Sequence, residues 1–197
     1  MIGSWSRILN CRKAILGKSY WAREEELVTE AAIFVVFPIC LAIAALSDLL
    51  TMTIPNRVSA ILLASFILVA PLAGLTLTQI GLHLLAGLLV FGVCFMLFAA
   101  NVMGGGDAKL LTASSVWFGM SASLVSYLLY VSVFGGLLTL VLLSMRARSN
   151  TILASGLPVP GHLLTHKKVP YGIAIGIAAF VAYPASPLMQ AALATFH

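Results

Sequence analysis

Long apolar runs separated by short polar turns dominate the chain, and most runs approach the length of a membrane-crossing helix. A helix needs about 20 consecutive apolar residues to span the hydrocarbon core of a bilayer. The pattern predicts helical spans at residues 31–50, 58–75, 79–100, 108–119, 123–144 and 170–189. The fourth run is short for a full crossing.

Composition supports this prediction, because 61% of the 197 residues are hydrophobic and only 9% are charged. Soluble domains have roughly 45–50% apolar and about 25% charged residues. The expected fold class is an all-α integral membrane protein, a bundle of about six transmembrane helices. Residues 1–30 hold all four Glu and are predicted to form a polar or amphipathic extension before a membrane domain at 31–197.

From residue 31 onward the only acidic side chains are Asp48 and Asp107. Asp48 lies at the downstream end of the first span and Asp107 follows the third, so one helical hairpin returns the chain to the same face. Basic residues also collect on this face, at Arg57, Lys109, Arg146, Arg148, Lys167 and Lys168, whereas the short loops opposite have none. The positive-inside rule therefore predicts that the face is cytoplasmic. Residues 1–30 disagree, since they would lie outside with five basic residues.

Burying a carboxylate at membrane depth costs free energy, so a pair of carboxylates there indicates a functional site. When two carboxylates lie close together, like charge disfavours ionisation of both, and one keeps its proton. The ionised partner can then take a proton from water while the protonated one polarises a scissile carbonyl. Three glycines, Gly104, Gly105 and Gly106, precede Asp107 and would let an extended substrate strand approach the backbone.

Each of these residues also has a structural interpretation. Asp48 could pair with Arg57 across the turn, and Asp107 could cap the fourth span. The glycines at 104–106 could form only a flexible turn.

Three neighbouring residues are expected to support the site. Pro55 and Asn56 would shape the turn that presents Asp48. Lys109 fits a snorkelling charge that sets topology, although it lies close enough to Asp107 to influence the pair. The three cysteines form no CxxC pair, so neither a zinc site nor a disulfide framework is indicated.

The segments SDLLTMTIPN and MGGGDAKLL resemble the two signature blocks of type IV prepilin peptidases. In that family an aspartate precedes an Ile-Pro-Asn-like turn, and a Gly-x-Gly-Asp block precedes a small residue and lysine. By this resemblance Asp48 and Asp107 match the catalytic aspartates. KKVPYG, at residues 167–172, resembles the start of the last helix in the short TadV/CpaA-type members that process Flp pilins.

The resemblance implies an aspartic endopeptidase that hydrolyses the bond after a glycine at the leader/helix junction of a Flp-type prepilin. It implies a multi-pass protein of the bacterial cytoplasmic membrane, with prepilin and lipid as partners. The net charge of +5 does not indicate a nucleic-acid partner, because the basic residues lie where membrane topology would put them. Two carboxylates and water complete this chemistry, so no cofactor or metal is expected. Longer members carry CxxC pairs associated with N-methylation, and their absence here gives no support for methyltransferase activity.

Three other functions remain open at the level of sequence. A small proton- or cation-coupled transporter would use Asp48 and Asp107 as relay sites. A structural subunit of a secretion or pilus machine would keep the fold without activity. An archaeal preflagellin peptidase would share the mechanism and differ in substrate.

Overall fold

The computed structural model describes residue 27 and residues 29–148 and 169–194. Lys167, Lys168 and nearly all of the predicted extension at 1–30 lie outside these ranges. The described residues are helical and contain no strand. In chain order the elements are α1 (Thr29–Thr51), α2 (Asn56–Leu72), α3 (Leu77–Ala99), α4 (Gly105–Phe118), α5 (Ala122–Ala147), α6 (Tyr171–Ala182), a 3-10 turn (Tyr183–Ala185) and α7 (Pro187–Ala194).

Helices α1, α3 and α5 are long and apolar enough to cross a membrane, with 23, 23 and 26 residues. Their outer faces are apolar and are not covered by the rest of the protein. In the most apolar 18-residue stretch of α5, only 17% of the residues are buried. Such a surface is suited to lipid, because in water these helices would expose a large apolar area to the solvent. The prediction of an all-helical multi-pass membrane bundle is confirmed.

Three of the six predicted spans differ from simple crossings. α2 has 17 residues and α4 only 14. The last predicted span is not one straight helix, since α6 and α7 are bent by 45° around Ser186 and together form a fourth candidate crossing. The break has a local cause, because Pro184 and Pro187 lack the N–H that a continuous helix would use.

Helix α4 lies at the centre of the bundle and is almost completely buried beyond its first turn. Near its end, the indole N–H of Trp117 donates a hydrogen bond to the Leu62 carbonyl of α2, at 3.0 Å. The rings of Phe37 and Tyr183 stack beside it, with centroids 4.1 Å apart. The Tyr183 hydroxyl donates to the Ile33 carbonyl at 2.9 Å and thereby ties the 3-10 turn to α1.

Small residues allow the helices to approach closely. A Cβ on Gly87 of α3 would overlap the Val116 side chain of α4. A Cβ on Gly176 of α6 would lie 3.1 Å from the Ala45 Cβ of α1. Helices in membranes associate largely through such close packing, since lipid tails remove the hydrophobic driving force between them.

The helix contacts give the bundle two distinct ends. The aspartate end, as we call it, contains the turns at 52–55, 100–104 and 169–170, which line one cavity. The opposite end contains the turns at 73–75, 119–121 and 186–187, which border another. The described basic residues of the helical body also lie at the aspartate end. Arg57 and Lys109 are near the starts of α2 and α4, and Arg146 and Arg148 are at the end of α5. Asp48 and Asp107 therefore lie at the same end of the bundle, as the sequence predicts.

Candidate active site

A polar cavity of about 660 Å³ opens at the aspartate end. Asp48 and Asp107 both line it, together with the glycine block that precedes Asp107. The other lining residues come from the three turns and from α3, at Met52, Thr53, Ile54, Asn56, Phe98, Asn101, Val102, Met103, Val169 and Tyr171. Residues far apart in sequence are thus brought to one solvent-accessible site.

Asp48 lies in the last turn of α1 and is only 5% exposed. Its Oδ2 accepts a hydrogen bond from the backbone N–H of Gly172, at 2.7 Å. Gly172 is in the first turn of α6, where backbone N–H groups have no partner within the helix and the dipole favours negative charge. This oxygen therefore has a backbone partner in place of the Arg57 pairing considered from sequence. The hydrogen bond favours negative charge on the carboxylate, whereas burial of the side chain disfavours it.

Gly172 is required by this close approach. A Cβ at residue 172 would lie 2.9 Å from both the Cβ and the Oδ2 of Asp48. Any larger residue would push the carboxylate or the start of α6 away. Gly172 ends the segment KKVPYG that resembles the start of the last helix in short family members, but its residue type indicated no specific role.

Asp107 is half-buried in the first turn of α4. The interpretation of Asp107 as the cap of the fourth span is wrong, because the helix already begins at Gly105 and its N-cap is Gly104. A carboxylate in this first turn is favoured by the helix dipole. A Cβ on Gly104 would lie 2.7 Å from the Asp107 Oδ2, so the carboxylate folds back over the glycine.

The other two glycines of the block allow close packing, and none of the three has a positive φ. A Cβ on Gly105 would lie 3.2 Å from the Phe98 ring, and one on Gly106 would lie 3.3 Å from the Ile54 Cβ. These contacts set the start of α4 against the end of α3 and the turn after Asp48. The predicted role of Gly104, Gly105 and Gly106 in substrate approach stays a prediction.

The three predicted supporting residues join the two aspartate-bearing segments. Pro55 is the N-cap of α2, with an extended φ/ψ of −63° and 130°. Asn56 follows it, lines the cavity, and accepts a hydrogen bond through Oδ1 from the Lys109 Nζ, at 3.0 Å. Lys109 is exposed and does not line the cavity, so its contact with the site runs through Asn56.

Two cavity residues carry unusual backbone angles that the sequence did not indicate. Met52, directly after α1, has a φ of 56°, and Asn101, directly after the α3 C-cap, has a φ of 57°. They are the non-glycine residues with positive φ in the described part of the chain. Asparagine tolerates this conformation and is common after helices, whereas methionine pays about 1–3 kcal/mol in strain.

Tyr171 is a further cavity residue, and its hydroxyl lies 3.2 Å from the Thr139 Oγ1 of α5. This contact joins the start of α6 to α5 beside the site. An aromatic residue at this position is typical of a membrane surface. That its ring lines the cavity depends on the packing of α6, which the sequence does not indicate.

Comparison with protein families identifies a family for this chain. The model for the type IV leader peptidase family matches residues 35–140, more than half of the chain. The matched segment contains Asp48, Asn56, Asp107 and Lys109, and it ends before Gly172. Comparisons with curated proteins and with solved structures give no significant match.

Proposed function

The chain belongs to the type IV leader peptidase family, and we propose that it removes the leader of a Flp-type prepilin with Asp48 and Asp107 as its catalytic pair. One observation carries the proposal: both carboxylates line a single polar cavity at one end of a membrane bundle. The family match covers both residues. An aspartic mechanism requires this arrangement of two carboxylates around a shared water.

The two carboxylates share one proton, because like charge disfavours ionisation of both. The ionised carboxylate takes a proton from the attacking water. The protonated carboxylate polarises the scissile carbonyl. The water oxygen bonds to the carbonyl carbon, the C–N bond breaks, and the proton passes to the leaving amine.

The expected substrate has a polar leader followed by an apolar helix. A site at the end of the bundle suits cleavage at that junction, because an embedded helix brings its first residues to the membrane boundary. We place this boundary on the cytoplasmic side of the bacterial inner membrane, since the described basic residues of the helical body collect at the aspartate end. The Flp class rests on the likeness of residues 167–172 to short family members and on the absence of CxxC pairs.

The test is cleavage of a co-expressed Flp-type prepilin by wild type, Asp48→Asn and Asp107→Asn at matched membrane levels. Gel shift and N-terminal sequencing of the product report whether cleavage follows the glycine. We expect a loss of about 10³-fold or more in each variant, with the double variant no worse than either single one, because the pair acts as a unit.

Glu30→Gln is the matched control. Glu30 is a carboxylate at the start of α1, at the opposite end of the bundle, and the same change to an amide there is expected to leave cleavage intact. Wild-type cleavage by either aspartate variant would rule out the two-aspartate mechanism.

A further inference from the structure

An apolar groove of about 610 Å³ runs between α3 and α5. Its walls extend from Ala86 to Leu97 along α3 and from Leu124 to Gly136 along α5, and Leu111 of α4 forms part of its floor. In the described bundle α3 packs mainly on α4 and α5 mainly on α6, so the two walls leave this space between them.

The groove is continuous with the polar cavity. Met103 and Tyr171 line both spaces, one from the turn before α4 and the other from the start of α6. A chain whose peptide bond lies between Asp48 and Asp107 can therefore continue past these two side chains into the groove. Polar surroundings at the carboxylates give way to almost wholly apolar ones within the same passage.

The dimensions of the groove suit one helix. At 1.5 Å per residue, the lining stretches of α3 and α5 are each about 16–18 Å long, or about three helical turns. Small side chains occur on both walls, at Ala86, Ser132 and Gly136. A Cβ on Gly136 would meet nothing within 4 Å, so the space beside it is open. Small residues of this kind let a second helix approach closely in a membrane.

We propose that this groove binds the apolar helix of the substrate, beginning directly after the cleaved bond. The inference rests on the proposed function, because it takes the order of polar leader and apolar helix from that substrate class. That order matches the change from polar cavity to apolar groove along the passage. The groove would hold the helix in register with the carboxylates and so fix which bond is cut.

The first experiment fills the groove. Gly136→Phe places a ring in the open space, and Gly92→Phe is its control, because Gly92 lies on α3 with equally open space but does not line the groove. Each variant is assayed in lipid nanodiscs with the full prepilin and with a short peptide that ends a few residues after the scissile bond.

We expect Gly136→Phe to raise the KM for the full prepilin by about tenfold or more, a loss of about 1.4 kcal/mol in binding, and to leave the short peptide unaffected. Gly92→Phe should match wild type on both substrates. An unchanged KM for the full prepilin in Gly136→Phe, or an equal loss on both substrates, would overturn the groove assignment. Failure of wild type on both substrates would instead overturn the proposed function.

The second experiment detects the helix directly and does not depend on turnover. In a chain whose native cysteines are replaced, Ser132→Cys lies in the groove, whereas its neighbour Val133→Cys faces away from it. Each is combined with Asp107→Asn and a prepilin carrying one cysteine in its apolar helix. A disulfide with Ser132→Cys but not Val133→Cys supports the proposal. Absence of a disulfide at Ser132→Cys would mean that lipid chains alone fill the groove.

Discussion

The carboxylate of Asp48 receives its hydrogen bond from Gly172, which lies 124 residues further along the chain. The scarcity of acidic residues was enough to predict Asp48 and Asp107 from sequence. It could not predict their partners, because the Gly172 N–H reaches Asp48 only through the packing of α6 on α1. The strained φ of Met52 was also beyond sequence reasoning, since methionine has no preference for that conformation.

At this scale we predict that Gly172→Ala impairs the enzyme. The added Cβ would lie 2.9 Å from two atoms of Asp48, so the carboxylate must shift from its hydrogen bond. We expect cleavage to fall by about tenfold or more, because small displacements of a reacting group are costly. Initial rates of prepilin cleavage by purified protein measure the effect. Gly92→Ala makes the same change at an open position and should keep the wild-type rate, and a wild-type rate in Gly172→Ala would contradict the prediction.

The hydrogen bond between Lys109 and Asn56 is predicted to couple the two aspartate-bearing segments. Because both side chains are exposed, their coupling energy should be modest, about 0.5–1.5 kcal/mol. A double-mutant cycle with Lys109→Met and Asn56→Ala, read from unfolding in detergent, isolates this energy. Strictly additive effects of the two substitutions would show that the contact does not stabilise the site.

The helices themselves were well predicted from hydropathy, since five of the six predicted spans match observed helices within a few residues. The remaining differences at the fourth and last spans have physical causes. The predicted fourth span began at residue 108 because glycine has low helix propensity, yet tertiary packing against Phe98 and Ile54 makes Gly105 and Gly106 helical. The last span was predicted as one element, and hydropathy alone does not register the bend near Pro184.

Close contact between α3 and α4 depends on Gly87, and we predict that Gly87→Ala destabilises the bundle. The added methyl group would overlap the Val116 side chain, and overpacking of this kind typically costs about 1–3 kcal/mol. Thermal or denaturant unfolding in detergent measures the change. Gly81→Ala, on the same helix at an open position, should instead be neutral or stabilising by up to about 1 kcal/mol. Equal effects of the two substitutions would exclude the packing explanation.

The molecule as a whole has two ends that the order of charges and spans predicted. Counting crossings placed both aspartates on one side, and the structure brings them to one cavity. The cavity and its continuation between α3 and α5 were not predictable, because they depend on how helices distant in sequence pack. Sidedness relative to the cell is a proposal based on the positive-inside rule.

We predict that cysteines placed at the two ends are labelled from opposite sides of the membrane. Arg148→Cys lies at the aspartate end and Leu77→Cys at the other, and both positions are exposed. In a chain without native cysteines, a membrane-impermeant maleimide added to intact cells should react at Leu77→Cys, and Arg148→Cys should react only after the cells are opened. The reverse pattern would place the aspartate end outside the cytoplasm.

The position of α4 at the centre of the bundle has a consequence for biosynthesis. Its 14 residues include Asp107 and Lys109 and are too few to be released into lipid by the translocon as an independent span. The nascent chain must therefore hold α4 against α2 and α3 until α6 has been made and can cover it. Membrane integration of the segment that carries Asp107 and assembly of the site around Asp48 are then a single step, completed only after α6 has left the ribosome.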